Sequence, residues 1–389
     1  MDVSVVIATH NQKERLRLVL AGLQAQTLPR SRFEVLVVDD GSTDGTAEDV
    51  QGIGLENLRF MRLHPNVGRC AARNRGTEQA QGELVVFLDG DALPHPRLVE
   101  SYWSAYGEFG PEALLRGHHL SLPYLEHFKD PQTGALEEPP RRHNLTRVFL
   151  ELIRGSSLRE WLVTEEMIRE DFAAIERGAV EGGYPEAGVR AMERHVRETL
   201  QEFPHCRAGW SGFVPHNAAV PRARLMAANG FDERISFSEG MELAYRRYQQ
   251  GMHTRWVASA SSYHLYHYHD FSDPRQSRIR FKALERMAER FAEPRIFLIP
   301  FFHAHFWPRE MFPESAVIKG LREFERLFCE ISSSRLREYL LVLHTLESSR
   351  IVETLLGESR PMANFSFPPM TSRRPRLSAQ PADLAHGGR

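Results

Sequence analysis

The chain has 389 residues, 42% of them hydrophobic and 26% charged, and a formal charge of -2 at pH 7. This balance is ordinary for a folded globular protein and gives no electrostatic case for nucleic acid or for a bulk anionic membrane. The three cysteines, Cys70, Cys206 and Cys329, are scattered; they fit a reducing compartment and offer no zinc-ligand spacing.

Length points to one large α/β unit with additions, or to two domains. Val3, Val5, Val6 and Ile7 start a short apolar strand that ends at Thr9, His10 and Asn11, too short to be a signal peptide. Asn11 followed by Glu14 predicts a capped helix start, with Leu16, Val19, Leu20 and Leu23 at helical spacing. A second strand at Glu34 to Val38 closes on Asp39 and Asp40, Leu58 to Leu63 suits a third strand, and Arg69 to Ala80 a helix. The fourth strand, Glu83 to Leu88, is apolar enough to be buried on both faces and runs directly into Asp89, Gly90 and Asp91.

Alternating strands and helices with short polar links predict a parallel sheet, and ligands of such sheets bind beyond the carboxyl ends of the strands. Those ends carry Thr9 and His10, Asp39 and Asp40, and Asp89 and Asp91. Two carboxylates one residue apart repel each other unless a cation lies between them, which suggests Mg²⁺ or Mn²⁺; the alternative is a solvated Asp-Gly-Asp turn. No GxGxxG or GxxxxGK[ST] loop follows any of these strands, which disfavours a dinucleotide fold or a P-loop.

Between 116 and 205 the pattern is helical, with Ile168, Phe172 and Ile175 and then Val189, Met192, Val196 and Leu200 at three- and four-residue spacing; Asp130 to Pro140 reads as loop. Helical spacing returns after 273, at Phe281, Leu284, Ala288 and Phe291, and again in two later runs, at Leu321, Phe324, Phe328 and Ile331 and at Leu336, Tyr339, Leu343 and Leu346. The aromatic stretch 295–312 suits a buried segment or dimer contact, with a membrane interface as the alternative. Its most apolar part, Ile296 to Phe302, falls far short of the roughly 20 residues a membrane span needs. Residues 361–389 read as a disordered tail.

SVVIATHN at 4–11, VVDDGSTDGT at 37–46, RNRG at 73–76 and FLDGDALP at 87–94 together resemble the successive signatures of the family 2 glycosyltransferases. The likeness resumes at GWSGFVPHNAAVPRARLMAANGFDER, 209–234. It implies a GT-A fold, a Rossmann-like, mostly parallel sheet flanked by helices, here with a helical insertion and a helical C-terminal extension. It also implies an inverting transfer from a nucleotide-sugar, usually a UDP-sugar, to a hydroxyl of a saccharide, lipid-linked or other acceptor, with Mn²⁺ or Mg²⁺. The expected organisation is a nucleotide-sugar half at 1–115, an insertion at 116–205, an acceptor-side half at 206–272 and a helical region at 273–360.

By position, the resemblance implies that Thr9, Asp40, Arg69, Asp89 and Asp91 bind the donor, Asp91 and Asp89 ligating the metal. His264 in YHLYHYHD would complete the metal shell. Asp39 and Asp44 read better as turn and cap residues. Trp210, His216 and Asn217 are candidates for the acceptor side, with core packing the competing reading for Trp210. In FSEGMELAYRR, 237–247, Gly240 stands where the family carries its general-base aspartate. Glu239 is therefore the expected base and Glu242 its reserve. Two further functions compete: a non-catalytic sugar-nucleotide-binding subunit, suggested by Gly240, and a nucleotidyltransferase, which calls for a glycine-rich basic loop after the first strand that this chain lacks. The expected location is cytoplasmic, with peripheral contact at the inner face of the membrane and no spanning segment.

Overall fold

The computed structural model describes residues 1–123, 163–182, 187–266, 274–307, 312–346 and 349–357. The expected loop at Asp130 to Pro140, His267 and His269, and the tail 361–389 lie outside them. Strands β1 (Val3–Thr9), β2 (Phe33–Asp39), β3 (Leu58–Arg62) and β4 (Leu84–Asp89) pair in parallel in the order β3-β2-β1-β4. Helices α1 (Lys13–Gln24), α2 (Thr46–Gly52) and α3 (Arg69–Gln79) connect them. β1, β2 and β4 follow their apolar runs, because Val, Ile and Phe at neighbouring positions suit a sheet covered on both sides, whereas β3, at the sheet edge, carries Arg59 and Arg62 and has no buried residue.

Beyond β4 the sheet becomes mixed. The chain adds β5 (Ala92–Pro94), β6 (Ala113–Pro123), β7 (Val180–Glu181), β8 (Asn217–Pro221) and β9 (His253–Tyr266), and the order continues β4-β8-β6-β9-β5 with β7 on β6. β8 runs antiparallel to β4 and β6, whereas β6 and β9 are parallel with a register shift after Gly117. The boundary expected between 115 and 116 falls inside β6, which is a full member of the sheet. The parallel pairing expected of the first hundred residues is present in β1 to β4, and the later strands make the sheet mixed.

Alternation within β1 sends Val5 and Ile7 to one core and Val6 to the other. The first core packs under α1 and α4 (Leu98–Phe109); the second receives α3 and the later helices. Those are α5 (Ala187–Glu202), α6 (Glu239–Tyr248), α7 (Pro274–Phe291), α8 (Leu321–Glu330), α9 (Ser333–Leu346) and α10 (Arg350–Gly357). The helical spacing predicted for Met192, Val196 and Leu200 is the buried stripe of α5. The aromatic run 296–302 is core: Phe301 packs edge-on to Tyr339 at 4.7 Å between centroids and Phe302 stacks on Phe324 at 5.0 Å. Among the described residues no helix is long and apolar enough to cross a membrane.

Asn11 does not cap α1. Its φ is +52°, its side-chain Oδ1 accepts the Thr43 N–H at 2.8 Å, and its own N–H donates to Ser42 Oγ at 2.8 Å. The cap chemistry belongs to Asp44, which accepts the Lys13 N–H at 3.0 Å and the Thr46 N–H at 3.1 Å, as the turn-and-cap reading holds.

α3 lies close on β1 because Gly76 faces the sheet: a Cβ there would come within 2.4 Å of Val6 Cγ1. Gly76→Ala should therefore overpack this contact and cost about 1–3 kcal/mol. Urea unfolding should show a lower midpoint with an unchanged slope.

Candidate active site

The register aligns the strand ends: Thr9 is paired with Asp39 and Ala8 with Asp89. One cavity of about 610 Å³ opens at this edge, and Thr9, Asp40, Arg69, Asp89, Asp91, His216, Glu239 and His264 of the expected site residues line it. Asp40 is nearly buried, and its two carboxylate oxygens accept the Val67 and Gly68 N–H groups, each at 2.8 Å. It thus holds the loop that leads into α3 and Arg69. Asp39 accepts the Ser42 N–H at 2.9 Å and pairs with Arg62, a turn role. Thr9 Oγ1 is buried with no hydrogen-bond partner among the described residues.

Gly90 is closely approached: a Cβ there would lie 2.7 Å from Gln12 Oε1 and 3.0 Å from Thr9 Oγ1, so a side chain would displace Gln12. Asp91 follows, accepting from Gln12 Nε2 at 3.1 Å. The β5–β9 pairing, Ala92 opposite His264, sets His264 Nε2 3.8 Å from Asp91 Oδ2. His119 adjoins them; its ring lies 3.9 Å from that of His216 and 5.6 Å from that of His264. Burial, reinforced by neighbouring positive groups, holds His119 and His216 well below the ordinary imidazole range, so both are neutral at pH 7.

Asp89 does not share this cluster's geometry. Its Oδ1 accepts from Arg73 Nη2 at 2.7 Å, while Arg73 Nη1 donates to Glu239 Oε1 at 2.8 Å, and the Arg73 side chain is only 4% exposed. Burial pushes the Asp89 carboxyl up against the pull of Arg73, and Asp91 pushes it the same way. For Glu239 burial also acts upward, but Arg73 and Arg69 outweigh it and hold the carboxylate below its usual range. Asp91 and His264 are the residues here that could hold a divalent cation. Among the described residues no three His, Cys, Asp or Glu side chains are grouped to hold a metal, so further ligands would come from a bound diphosphate and water.

Glu242 does not reach the cavity. Its carboxylate is fully buried and clamped by Arg246, at 2.7 Å to each oxygen, and by Arg290 at 3.0 Å. Trp210 is core, packed edge-on against Tyr245 at 4.7 Å and Phe328 at 5.3 Å. The Asn217 amide is consumed structurally: it accepts from the Tyr102 hydroxyl at 2.7 Å and donates to the His118 and Ala260 carbonyls. At Gly240 a Cβ would meet Pro215 Cδ at 2.6 Å and the Phe213 carbonyl at 2.7 Å, so the residue lets α6 start against the 213–215 segment.

Sequence reasoning did not single out Gln12, Arg73, His119, Phe237 or His303, all of which line the cavity. For Arg73 a signal existed, in RNRG. Phe237 has φ +67°, and its ring centre lies 4.9 Å from the guanidinium of Arg69 and 5.0 Å from that of Arg280. That is a strained backbone at a ligand cavity.

Residues 4–115 match the family model described as glycosyl transferase family 2. Glycosyltransferase AglE of Haloferax volcanii is 42% identical over 100 residues, 25% of this chain and 33% of that protein. Validoxylamine A glucosyltransferase of Streptomyces hygroscopicus subsp. jinggangensis is 27% identical over 257 residues, 64% of this chain and 52% of that protein. The crystal structure of S. aureus TarS 1-349 superposes with a TM-score of 0.51 and 16% identity, covering 92% of this chain and 88% of that one, and shows a shared fold. The chain spans between 33% and 65% of the length of the first curated relatives it matches.

Two outcomes follow from this geometry. Arg73→Gln should strand the buried Glu239 carboxylate, leave the half-buried Asp89 unpaired, and destabilise the fold by about 3–5 kcal/mol, read as a lowered unfolding midpoint. Gly240→Asp, which restores the family's residue type, should destabilise by about 1–3 kcal/mol through its Cβ and leave sugar transfer no faster; a gain in turnover would show that the 213–215 segment yields to it.

Proposed function

The chain is a family 2 glycosyltransferase with the GT-A fold, and from that premise we propose that it moves a sugar from a UDP-sugar to an acceptor hydroxyl with inversion at the anomeric carbon. The observation that carries this reading is the convergence of the β1, β2 and β4 ends with the β5–β9 pairing, which sets Asp91 and His264 side by side in the cavity beside Arg69. Relatives named as glycosyltransferases support the reaction class.

In this reading the uracil and ribose lie along Thr9 and the Asp40-held loop. Thr9 Oγ1, buried without a partner, gains one from the nucleoside. Arg69, at the N-terminal end of α3, faces the diphosphate, where its charge and the helix end both favour an anion. Asp91 and His264 would hold Mn²⁺ or Mg²⁺, which when bound neutralises charge on the departing diphosphate. Arg73 keeps Asp89 and Glu239 in fixed positions around the sugar; Glu239, tied to it, orients rather than takes the proton. Three free thiols fit a reducing, cytoplasmic setting, and peripheral contact with a membrane would bring lipid-linked acceptors within reach.

Calorimetric titration with UDP tests this reading. Mn²⁺ should tighten UDP binding to the parent protein, and both Asp91→Asn and His264→Ala should lower the Mn²⁺-dependent affinity by at least about tenfold, or 1.4 kcal/mol, without loss of folding. UDP affinity unchanged in both variants would remove the site assignment, and UDP binding without any sugar transfer would favour a binding subunit.

A further inference from the structure

The wall that the later helices contribute to the cavity differs in chemistry from the strand-end wall. Met192 and Val196 of α5, Leu284 of α7, Ile299, Phe306 and Trp307 line it. The cations nearby are engaged: Arg116 donates to the Gly212 carbonyl and to Glu193, and Arg280 to the Phe306 carbonyl at 2.7 Å and Gln276 at 3.0 Å. On this wall His303 is 9% exposed, and its Nε2 is buried with no hydrogen-bond partner among the described residues. The Ser211 main chain hydrogen-bonds to the same ring, and with Nε2 unpartnered that bond falls to Nδ1. Because a carbonyl there fixes the proton on Nδ1, Nε2 carries an unpartnered lone pair on a ring that lines the cavity.

We propose that this wall is the acceptor subsite for a hydroxylated apolar molecule, whose hydroxyl donates to His303 Nε2 and gives up its proton there during transfer. The proposal rests on the donor reading above. As the acceptor O–H bond breaks toward Nε2, the acceptor oxygen bonds to the anomeric carbon. The bond from that carbon to the diphosphate oxygen breaks, its electron pair leaving with the nucleoside diphosphate, and the imidazolium later returns its proton to water.

Three observations converge on His303. Gly240 has no room for a side chain, Glu242 is clamped outside the cavity, and Glu239 is tied to Arg73. His216 also has an unpartnered Nε2, but it belongs with His119 beside Asp91, on the donor side. Burial, with Arg116 and His305, holds His303 down to about 4 against the Ser211 bond, so at neutral pH the ring is unprotonated and about as basic as a carboxylate. Acceptor chemistry follows from the lining: Met, Val, Leu and Ile offer no partners to sugar hydroxyls, and each hydroxyl buried unpaired costs about 1–3 kcal/mol.

The test uses the full chain with Mn²⁺, UDP-glucose, UDP-galactose or UDP-N-acetylglucosamine, and geraniol, 2-naphthol or maltotetraose as acceptor. UDP binding by calorimetry is read separately from conjugate formation by mass spectrometry. Transfer is expected to geraniol or 2-naphthol and not to maltotetraose. His303→Ala should reduce it by about 10²–10⁴-fold with UDP affinity and melting temperature retained, and added imidazole should restore part of it. His303→Gln, closer in volume, should lose transfer without imidazole rescue. Absence of UDP binding would overturn the donor reading and this one with it. UDP binding with transfer to maltotetraose alone or to no acceptor, or a His303→Ala variant within a few-fold of the parent, would overturn this proposal alone.

Discussion

The rest of the site depends on one buried cation. Arg73 leaves the middle of α3 with its guanidinium shared between Asp89, at the end of β4, and Glu239, at the first turn of α6. Glu239, removed from water, is not easily held as an ion without it, Asp89 is half-buried beside it, and Arg73 itself is held charged by the two of them. The bridge therefore fixes how β4 and α3 meet α6, whose Glu239 lies 166 residues after Arg73. Phe231 lies against the same guanidinium at 5.7 Å, which brings the turn before α6 into the arrangement.

From that fixed point the two walls of the cavity follow. α6 starts hard against the 213–215 segment, and only the absence of a side chain at 240 allows it. That segment continues the wall through Gly212, itself pressed on Val196 of α5, and through Ser211 to His303. One wall is made of strand ends and is polar and ionic; the other is made of helices and is largely apolar. In the proposed transfer the departing diphosphate would use the first environment and the acceptor hydroxyl the second.

The nucleotide-side half was legible because its strands are short, apolar and bounded by charged ends, so that periodicity and position carry the same message. Val85, Val86 and Phe87 are fully buried, and the carboxylates after them do line the cavity. RNRG and GFDE, both visible as motifs, turn out to bind each other: Asn74 accepts the Phe231 N–H at 2.8 Å and returns a bond to the Phe231 carbonyl at 3.0 Å. No local pattern announces a contact across that sequence distance. Glu239 and Glu242 share an i,i+3 spacing, yet Glu239 faces Arg73 while Arg246 and Arg290 draw Glu242 the other way. Asn217 looked like a ligand residue because a buried amide at a strand start suits either binding or bracing, and here three intramolecular bonds use it. His303 was hidden inside an aromatic run whose apolar character pointed, rightly, to burial.

The central claim is that these strand ends and their companions form a nucleotide-sugar site. It is tested most directly by a thermal-shift panel of nucleotide sugars and free nucleotides on the intact chain, with and without Mn²⁺, because a ligand that binds only the folded state raises the melting temperature by mass action. The account predicts that UDP-sugars raise it in a concentration-dependent way, that the shift grows when Mn²⁺ is present, and that adenine nucleotides leave it in place. No shift with any nucleotide sugar at millimolar concentration, with or without Mn²⁺, would contradict it.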